Sequence, residues 1–269
     1  MKETILKFNL LVIVFAFCLC PIYGQKIKED AQSEYRLIAH RGGVVDSNTA
    51  ENSIEALKKA SKSEYWMVEI DLRLTKDSVL IIHHDSNFKR YFGVDLAVSE
   101  MEWEEIKELN GVFGNKVLSF EEALKFCQEN NLQVMVDNKI RGKDDRLFGS
   151  VVELLEKYEL LENALMIGTE ESTPFFTGKV KLSCTRQQLE ENMMKSDFNS
   201  NNYYLFSGNI SKEDVEWTKS HGILAVGVVN EWTFKDESVM EKAQEGADRL
   251  KEAGVKHFQI DSMFESFFR

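Results

Sequence analysis

Two rhythms of apolar and polar positions alternate along most of this chain. Short apolar runs are followed by stretches whose apolar residues recur every three or four positions. The first rhythm predicts strands and the second amphipathic helices. Strands are expected at RLIAHR (36–41), MVEIDLR (67–73), QVMVD (133–137), ALMIG (164–168), KVKLSC (179–184), YYLFS (203–207), LAVGVV (224–229) and HFQID (257–261). Helices are expected at SIEALKKASKS (53–63), DRLFGSVVELLEKY (145–158), RQQLEENMMK (186–195), SKEDVEWTKSHG (211–222) and SVMEKAQEGADRLKEAG (238–254). Gly222 and Gly254 stand where the last turn of a helix favours a glycine. Eight strands alternating with helices predict an α/β fold, a parallel sheet closed into a (β/α)8 TIM barrel. A doubly wound open sheet is the alternative, but no GxGxxG follows the first strand.

Two places break the rhythm. Only TEESTPFFTG (169–178) joins the fourth and fifth strands, so that crossover must be minimal. After the second strand comes a long segment, 86–130, holding the helical patterns EWEEIKELN and FEEALKFCQEN. It reads as a small insertion, about 86–116, followed by the regular second helix.

The N-terminus stands apart from this pattern. Lys2 and Lys7 precede the apolar run LLVIVFAFCLC (10–20), which is shorter than the roughly 18 residues a membrane span needs. A basic flank, a short apolar core and a small residue at Gly24 predict a signal peptide over 1–24, leaving 25–269 as a single domain. The expected location is periplasmic or secreted, with no stable membrane span after cleavage. Anchoring as a lipoprotein through Cys18 or Cys20 fits less well, because Phe17 and Leu19 are bulky where a small residue is expected. Cys127 and Cys184 then remain, on different predicted elements, and read as small buried hydrophobes. The net charge of −12 argues against nucleic acid as a partner, and any phosphate ligand would need local cations or a metal.

Candidate chemistry lies in WMVEIDLRLTKDSVLIIHHD (66–85). VLIIH follows the second strand without a crossover helix, so it should fold back as an antiparallel hairpin through TKDS. With Lys76–Asp77 as the loop, His84 faces Glu69 and Ile82 faces Asp71, and a one-residue slip would exchange His83 for His84. Alternation alone also describes a half-buried strand with one wet face. Two further clusters change that balance: AHRGG (39–43) ends the first strand and VDNK (136–139) ends the third. Strand ends of this kind converge at the C-terminal mouth of a barrel.

AHRGG, AENSIEAL and VEIDLRLTKDSVLIIHHD, in that order, resemble the glycerophosphodiester phosphodiesterase family. VDNK resembles its Glu-x-Lys segment and VLSFEEAL (117–124) the stretch before its second helix. The resemblance implies a divalent cation, Ca2+ or Mg2+, held by Glu69, Asp71 and Asp137. It implies His40 and His84 as the catalytic acid–base pair, and Arg41 and Lys139 as phosphate ligands. Glu51 and Asp85 would support the site from behind. The implied substrate is a small glycerophosphodiester, cleaved to glycerol 3-phosphate and an alcohol. A phospholipase acting on intact lipid head groups and a barrel that binds diesters without turnover are the alternatives. The first alternative expects an exposed apolar rim; the second needs no acid–base couple. Asp137 is one methylene shorter than the glutamate usual there, Ala50 replaces a proline, Gly227 stands where a tryptophan is common, and IDSM replaces a Thr-Asp-x-Pro ending. Within AENSIEAL, plain helix capping by Asn52 or Ser53 is the alternative to a supporting role, and outside the motifs His221 and His257 read as structural. Tyr91, Trp232 and the Phe175–Phe176 pair read as packing, with a cation–π cradle as the alternative.

Overall fold

The computed structural model describes residues 34–233 and 238–269, so the expected signal peptide lies outside the described residues. β1 (Arg36–Ala39) runs into a single 3-10 turn at His40–Gly42. α1 (Ile54–Lys62) starts at Ser53, whose Oγ accepts the Ala56 N–H at 3.2 Å. β2 (Met67–Leu74) folds back into β3 (Leu80–Ile82). The insertion carries β4 (Asn87–Phe88), the one-turn α2 (Lys89–Phe92), β5 (Val94–Ala97) and α3 (Trp103–Ile106). β6 (Leu118–Ser119) returns to β3 and leads into α4 (Phe120–Glu129). There follow β7 (Gln133–Asn138), α5 (Asp145–Lys157), β8 (Leu165–Ile167) and α6 (Thr173–Phe176). β9 (Lys181–Cys184), α7 (Arg186–Met193), β10 (Tyr203–Ser207) and α8 (Lys212–Ser220) come next. β11 (Leu224–Val229), α9 (Val239–Glu252) and β12 (His257–Ile260) end the series. The crossover from β8 to β9 is the expected minimum, a single helical turn with Pro174 near its start.

Eight strands close the barrel. The order runs β1, β12, β11, β10, β9, β8, β7, β2, and β1 pairs with β2 to complete the ring. All eight contacts are parallel. Ile38, Met67, Met135, Leu165, Tyr204 and Val226 fill the interior as one buried plug. The barrel is therefore a packed core, and inward side chains nearer the strand C-termini stand on a dry floor. A larger apolar shell between strands and helices holds the outside, and each large side chain buried there contributes about 1.5–3 kcal/mol. The insertion has its own small core of Ile81, Phe88, Val98, Met101, Ile106 and Val117.

The hairpin register differs by one residue from the expected one. Leu72 pairs with Ile82, Arg73 with Ile81 and Leu74 with Leu80, so Asp71 is not opposite Ile82 and Glu69 is not opposite His84. The loop is odd-numbered: the Thr75 N–H donates to the Val79 carbonyl, Thr75 Oγ1 accepts the Val79 N–H, and Ser78 sits at φ 64°. The slip does not exchange the histidines, because β3 ends at Ile82 and period two ends with it. His83 turns away, stacking on Phe88 at 4.8 Å with Nε2 2.9 Å from the Asn87 carbonyl. Arg73 donates to the His84 carbonyl at 2.6 Å and fixes the chain where it turns.

Candidate active site

The site begins with backbone that only a close approach explains. Arg41 adopts φ 54°, ψ 47°, so its N–H donates to Glu69 Oε2 at 2.7 Å and its carbonyl accepts the Asn52 N–H at 2.8 Å. Gly43 lies at φ 134°, and a Cβ there would sit 2.2 Å from the Ala56 carbonyl oxygen. The two glycines of AHRGG thus press the end of β1 against the start of α1. Asn52 is not the helix cap; Ser53 takes that role. Instead Asn52, at φ 48°, donates from Nδ2 to Asp71 Oδ2 at 2.8 Å and accepts the Asp71 N–H at 3.3 Å.

Asp71 and Asp137 are direct neighbours in the β2–β7 register, and Glu69 lies two residues before Asp71 on the same face. One oxygen from each of the three lies within 4.8 Å of the others. Glu69 and Asp71 are each 1% exposed. Burial, then the charges of Asp71 and Asp137, push the Glu69 carboxyl well above the usual range. Burial also raises Asp137, with Lys139 opposing and Asp71 reinforcing it. Glu69 Oε1 is buried with no hydrogen-bond partner. A converging set of oxygen ligands with one orphaned oxygen fits a hard divalent cation. Lys139 Nζ lies 2.5 Å from Asp137 Oδ2 and 3.3 Å from Asp71 Oδ1. Burial works against its charge, but the two carboxylates prevail and raise its pKa.

The two imidazoles flank this centre with matching partners. His40 Nδ1 is 2.6 Å from Asp261 Oδ1, and its Nε2 is 3.8 Å from Glu69 Oε2. His84 Nδ1 is 2.9 Å from Asp85 Oδ1. Burial would raise the Asp85 carboxyl, but Arg90 and His84 outweigh it and bring it down to about 2. At Asp261 the His40 hydrogen bond likewise outweighs burial and lowers the pKa. Ionised carboxylates only accept, so in each ring Nδ1 carries a proton and Nε2 is left for other chemistry. Arg41 Nη1 donates to Glu51 Oε2 at 3.0 Å, while its Nε is buried without a partner. His84 Nδ1 is 4.0 Å from Glu51 Oε1.

Sequence reasoning missed two residues here. Asp261 follows the last strand, and the signal for it was positional: β12 adjoins β1, so its C-terminal end must face His40. Arg90 lies on α2 of the insertion, outside every quoted motif, and donates to both Glu51 and Asp85. Other readings resolve simply. Phe175 and Phe176 pack on Phe148, His221 Nδ1 bonds the Trp217 carbonyl, and His257 meets Trp66 edge to face. Burial, then Arg36, lowers His257 to about 4. Gly227 faces the outer shell, 3.1 Å from Leu250 and Phe258 at its missing Cβ. Tyr91 and Trp232, however, line a cavity of about 470 Å3 together with His40, Arg41, Asp261 and Met263.

Fold and geometry define a (β/α)8 barrel with a three-carboxylate cluster flanked by two carboxylate-anchored histidines at one mouth. Residues 40–159 match the model of the glycerophosphoryl diester phosphodiesterase family. The chain is 23% identical over 174 residues to glycerophosphodiester phosphodiesterase 1 of Mus musculus, covering 61% of this chain and 51% of that protein. It is 33% identical over 110 residues to lysophospholipase D GDPD1 of Homo sapiens, covering 41% and 29%. The chain thus spans about half, or less, of the length of these curated relatives. Among solved structures, a glycerophosphoryl diester phosphodiesterase from Parabacteroides distasonis superposes with a TM-score of 0.69 at 19% identity, covering 86% of this chain and 84% of that one. A phosphodiesterase from Oleispira antarctica, solved with the product sn-glycerol-3-phosphate, gives 0.65 at 18%, covering 86% and 96%. The family model over residues 40–159, the relatives and the shared fold all indicate the glycerophosphodiester phosphodiesterase family.

Proposed function

We propose that this protein hydrolyses small glycerophosphodiesters to glycerol 3-phosphate and an alcohol. The observation that carries the reading is the pair of imidazoles, each fixed through Nδ1 by an ionised carboxylate beside a three-carboxylate cation site. Glu69, Asp71 and Asp137 would hold Ca2+ or Mg2+, which supplies positive charge for the non-bridging oxygens. Arg41 and Lys139 bind the same oxygens and orient the diester, and the unpartnered Arg41 Nε is a donor left for phosphate. One imidazole, neutral, takes the nucleophile's proton at Nε2, and the other, entering as imidazolium, gives its Nε2 proton to the departing alkoxide. Glu51 holds Arg41 in place, and Asp85 and Asp261 hold the rings. Product complexed in the Oleispira antarctica protein supports this substrate class. The leader at 1–24 completes the reading with export, which N-terminal sequencing of the extracellular or periplasmic chain tests.

The decisive experiment assays the purified protein on glycerophosphocholine with Ca2+, with Mg2+ and with chelator. Turnover that needs the cation and drops by about 10²–10⁴ in His84→Ala or His40→Ala is expected. Absence of turnover with either cation, or full activity in both variants, refutes the reading.

A second reading rests on the rim of the cavity. Trp232 is 63% exposed and Met263 48%, beside half-buried Tyr91, whose ring stands 6.4 Å from that of exposed Phe113. Such an apolar border suits a glycerophosphodiester that still carries one acyl chain. A relative that is a lysophospholipase D supports it.

A further inference from the structure

Glu51, His84 and Asp85 bring ligand atoms within 4.8 Å of one another, a second grouping beside the cation site. A side chain already sits in it. The Arg90 guanidinium donates from Nε to Asp85 Oδ2 at 2.7 Å and from Nη2 to Asp85 Oδ1 at 2.9 Å. From Nη1 it donates to Glu51 Oε2 at 3.1 Å, and Nη2 also bonds Glu51 Oε1. Both acceptors are themselves committed to the site. Asp85 Oδ1 accepts His84 Nδ1, and Glu51 Oε2 accepts Arg41 Nη1. Arg90 is stacked on Tyr91 at 4.7 Å, and the short β4–α2–β5 segment carries both. Planar, five-donor geometry lets one guanidinium bind two carboxylates at once, which an ammonium cannot copy.

We propose that Arg90, supplied by the insertion, is a positioning residue for this centre: through Asp85 it sets the His84 ring, and through Glu51 it sets the Arg41 guanidinium. The insertion is then part of the site, because removing one side chain from it frees an imidazole and a phosphate ligand together. Without Arg90, Glu51 and Asp85 would face each other with two like charges, and each would turn toward the nearest remaining donor. The cation that this second grouping needs is a protein side chain, not a metal.

The kinetic arm of the test rests on the phosphodiesterase reading; a spectroscopic arm does not. The full protein and its Arg90→Ala, Arg90→Lys and Asp85→Asn variants, with the Arg90→Ala/Asp85→Asn double variant, are compared on glycerophosphocholine. Arg90→Ala lowers kcat/KM by about tenfold to a hundredfold, with kcat falling through His84 and KM rising through Arg41. Arg90→Lys recovers little of the loss, and Arg90→Ala costs less in the Asp85→Asn background than in wild type. Full recovery by lysine, or additive losses in the double variant, overturns the proposal. Independently of turnover, the side-chain 15N shifts of His84 at one fixed pH move in Arg90→Ala while those of His83 do not. Unchanged His84 shifts overturn the proposal. Moved His84 shifts in a protein that turns over no diester uphold Arg90 and reject the phosphodiesterase reading instead.

Discussion

His40 and Asp261 lie 221 positions apart in the chain, yet His40 Nδ1 and Asp261 Oδ1 are 2.6 Å apart. The closure of the barrel makes this contact, because β12 pairs along the whole of β1. The second Asp261 oxygen accepts the Glu231 N–H at 2.6 Å, so the carboxylate is held at both ends and cannot turn from the ring. Asp261→Asn keeps the shape but offers the imidazole a neutral partner, and an amide nitrogen can enter in the wrong orientation. We predict a fall in kcat of about tenfold to a hundredfold, with little change in the thermal midpoint. Steady-state kinetics beside a melting curve checks it; undiminished kcat would show that the ring needs no anchor.

The three-carboxylate centre makes stability depend on pH, and a cation held there would change that dependence. Glu69 and Asp137 are both raised from their ordinary values, so the folded state holds more protons than the unfolded chain there. Their contribution is complete below about pH 4, the unfolded carboxylate range, and is lost as pH rises through the raised values. A divalent cation would bind the ionised form and offset that loss. At a hundred times its Kd it adds about 2.7 kcal/mol. The gain in melting temperature on adding Ca2+ or Mg2+ should therefore grow from about pH 5 to about pH 8. A gain equal at both pH values would place cation binding elsewhere.

Removing one of those charges should separate stability from function. Glu69→Gln is nearly isosteric, removes a buried anion beside Asp71 and Asp137, and leaves an oxygen to accept the Arg41 N–H. In chelator the variant should be more stable than wild type by roughly 1–2 kcal/mol, since a site that concentrates like charge sacrifices stability for binding. It should bind the cation weakly by calorimetry and turn over slowly. A destabilised Glu69→Gln protein with normal cation affinity would contradict the electrostatic account.

The fold was readable in advance because its determinants are local. Period-two strands, amphipathic helices and caps such as Ser53, Ser119 and Thr185 each act within a few residues. Charged residues at inward positions of apolar strands likewise exposed Glu69, Asp71 and Asp137. The hairpin register was not readable, since it turns on one left-handed residue, Ser78, and one side-chain bond from Thr75. Arg90 and Asp261 escaped for a related reason: each acts through a partner that only the closed barrel or the folded insertion brings near.

The apolar border of the cavity gives the last prediction, which decides between the two substrate readings. Trp232 and Met263 follow β11 and β12 and are exposed, although they stand beside polar His40 and the guanidinium of Arg41. Left in water, such side chains gain nothing for the fold; covering them with an acyl chain would gain about 25 cal/mol for each Å2 buried. Trp232→Ala should therefore raise KM for a lysophospholipid severalfold, at roughly 1 kcal/mol, and leave KM for glycerophosphocholine nearly unchanged. Folding should not suffer, because the indole is mostly exposed. The check is a pair of Michaelis curves for wild type and variant on the two diesters, run below the micellar concentration of the lipid. Equal changes on both substrates would mean that Trp232 serves the phosphate end, and the chain-bearing substrate would lose its support.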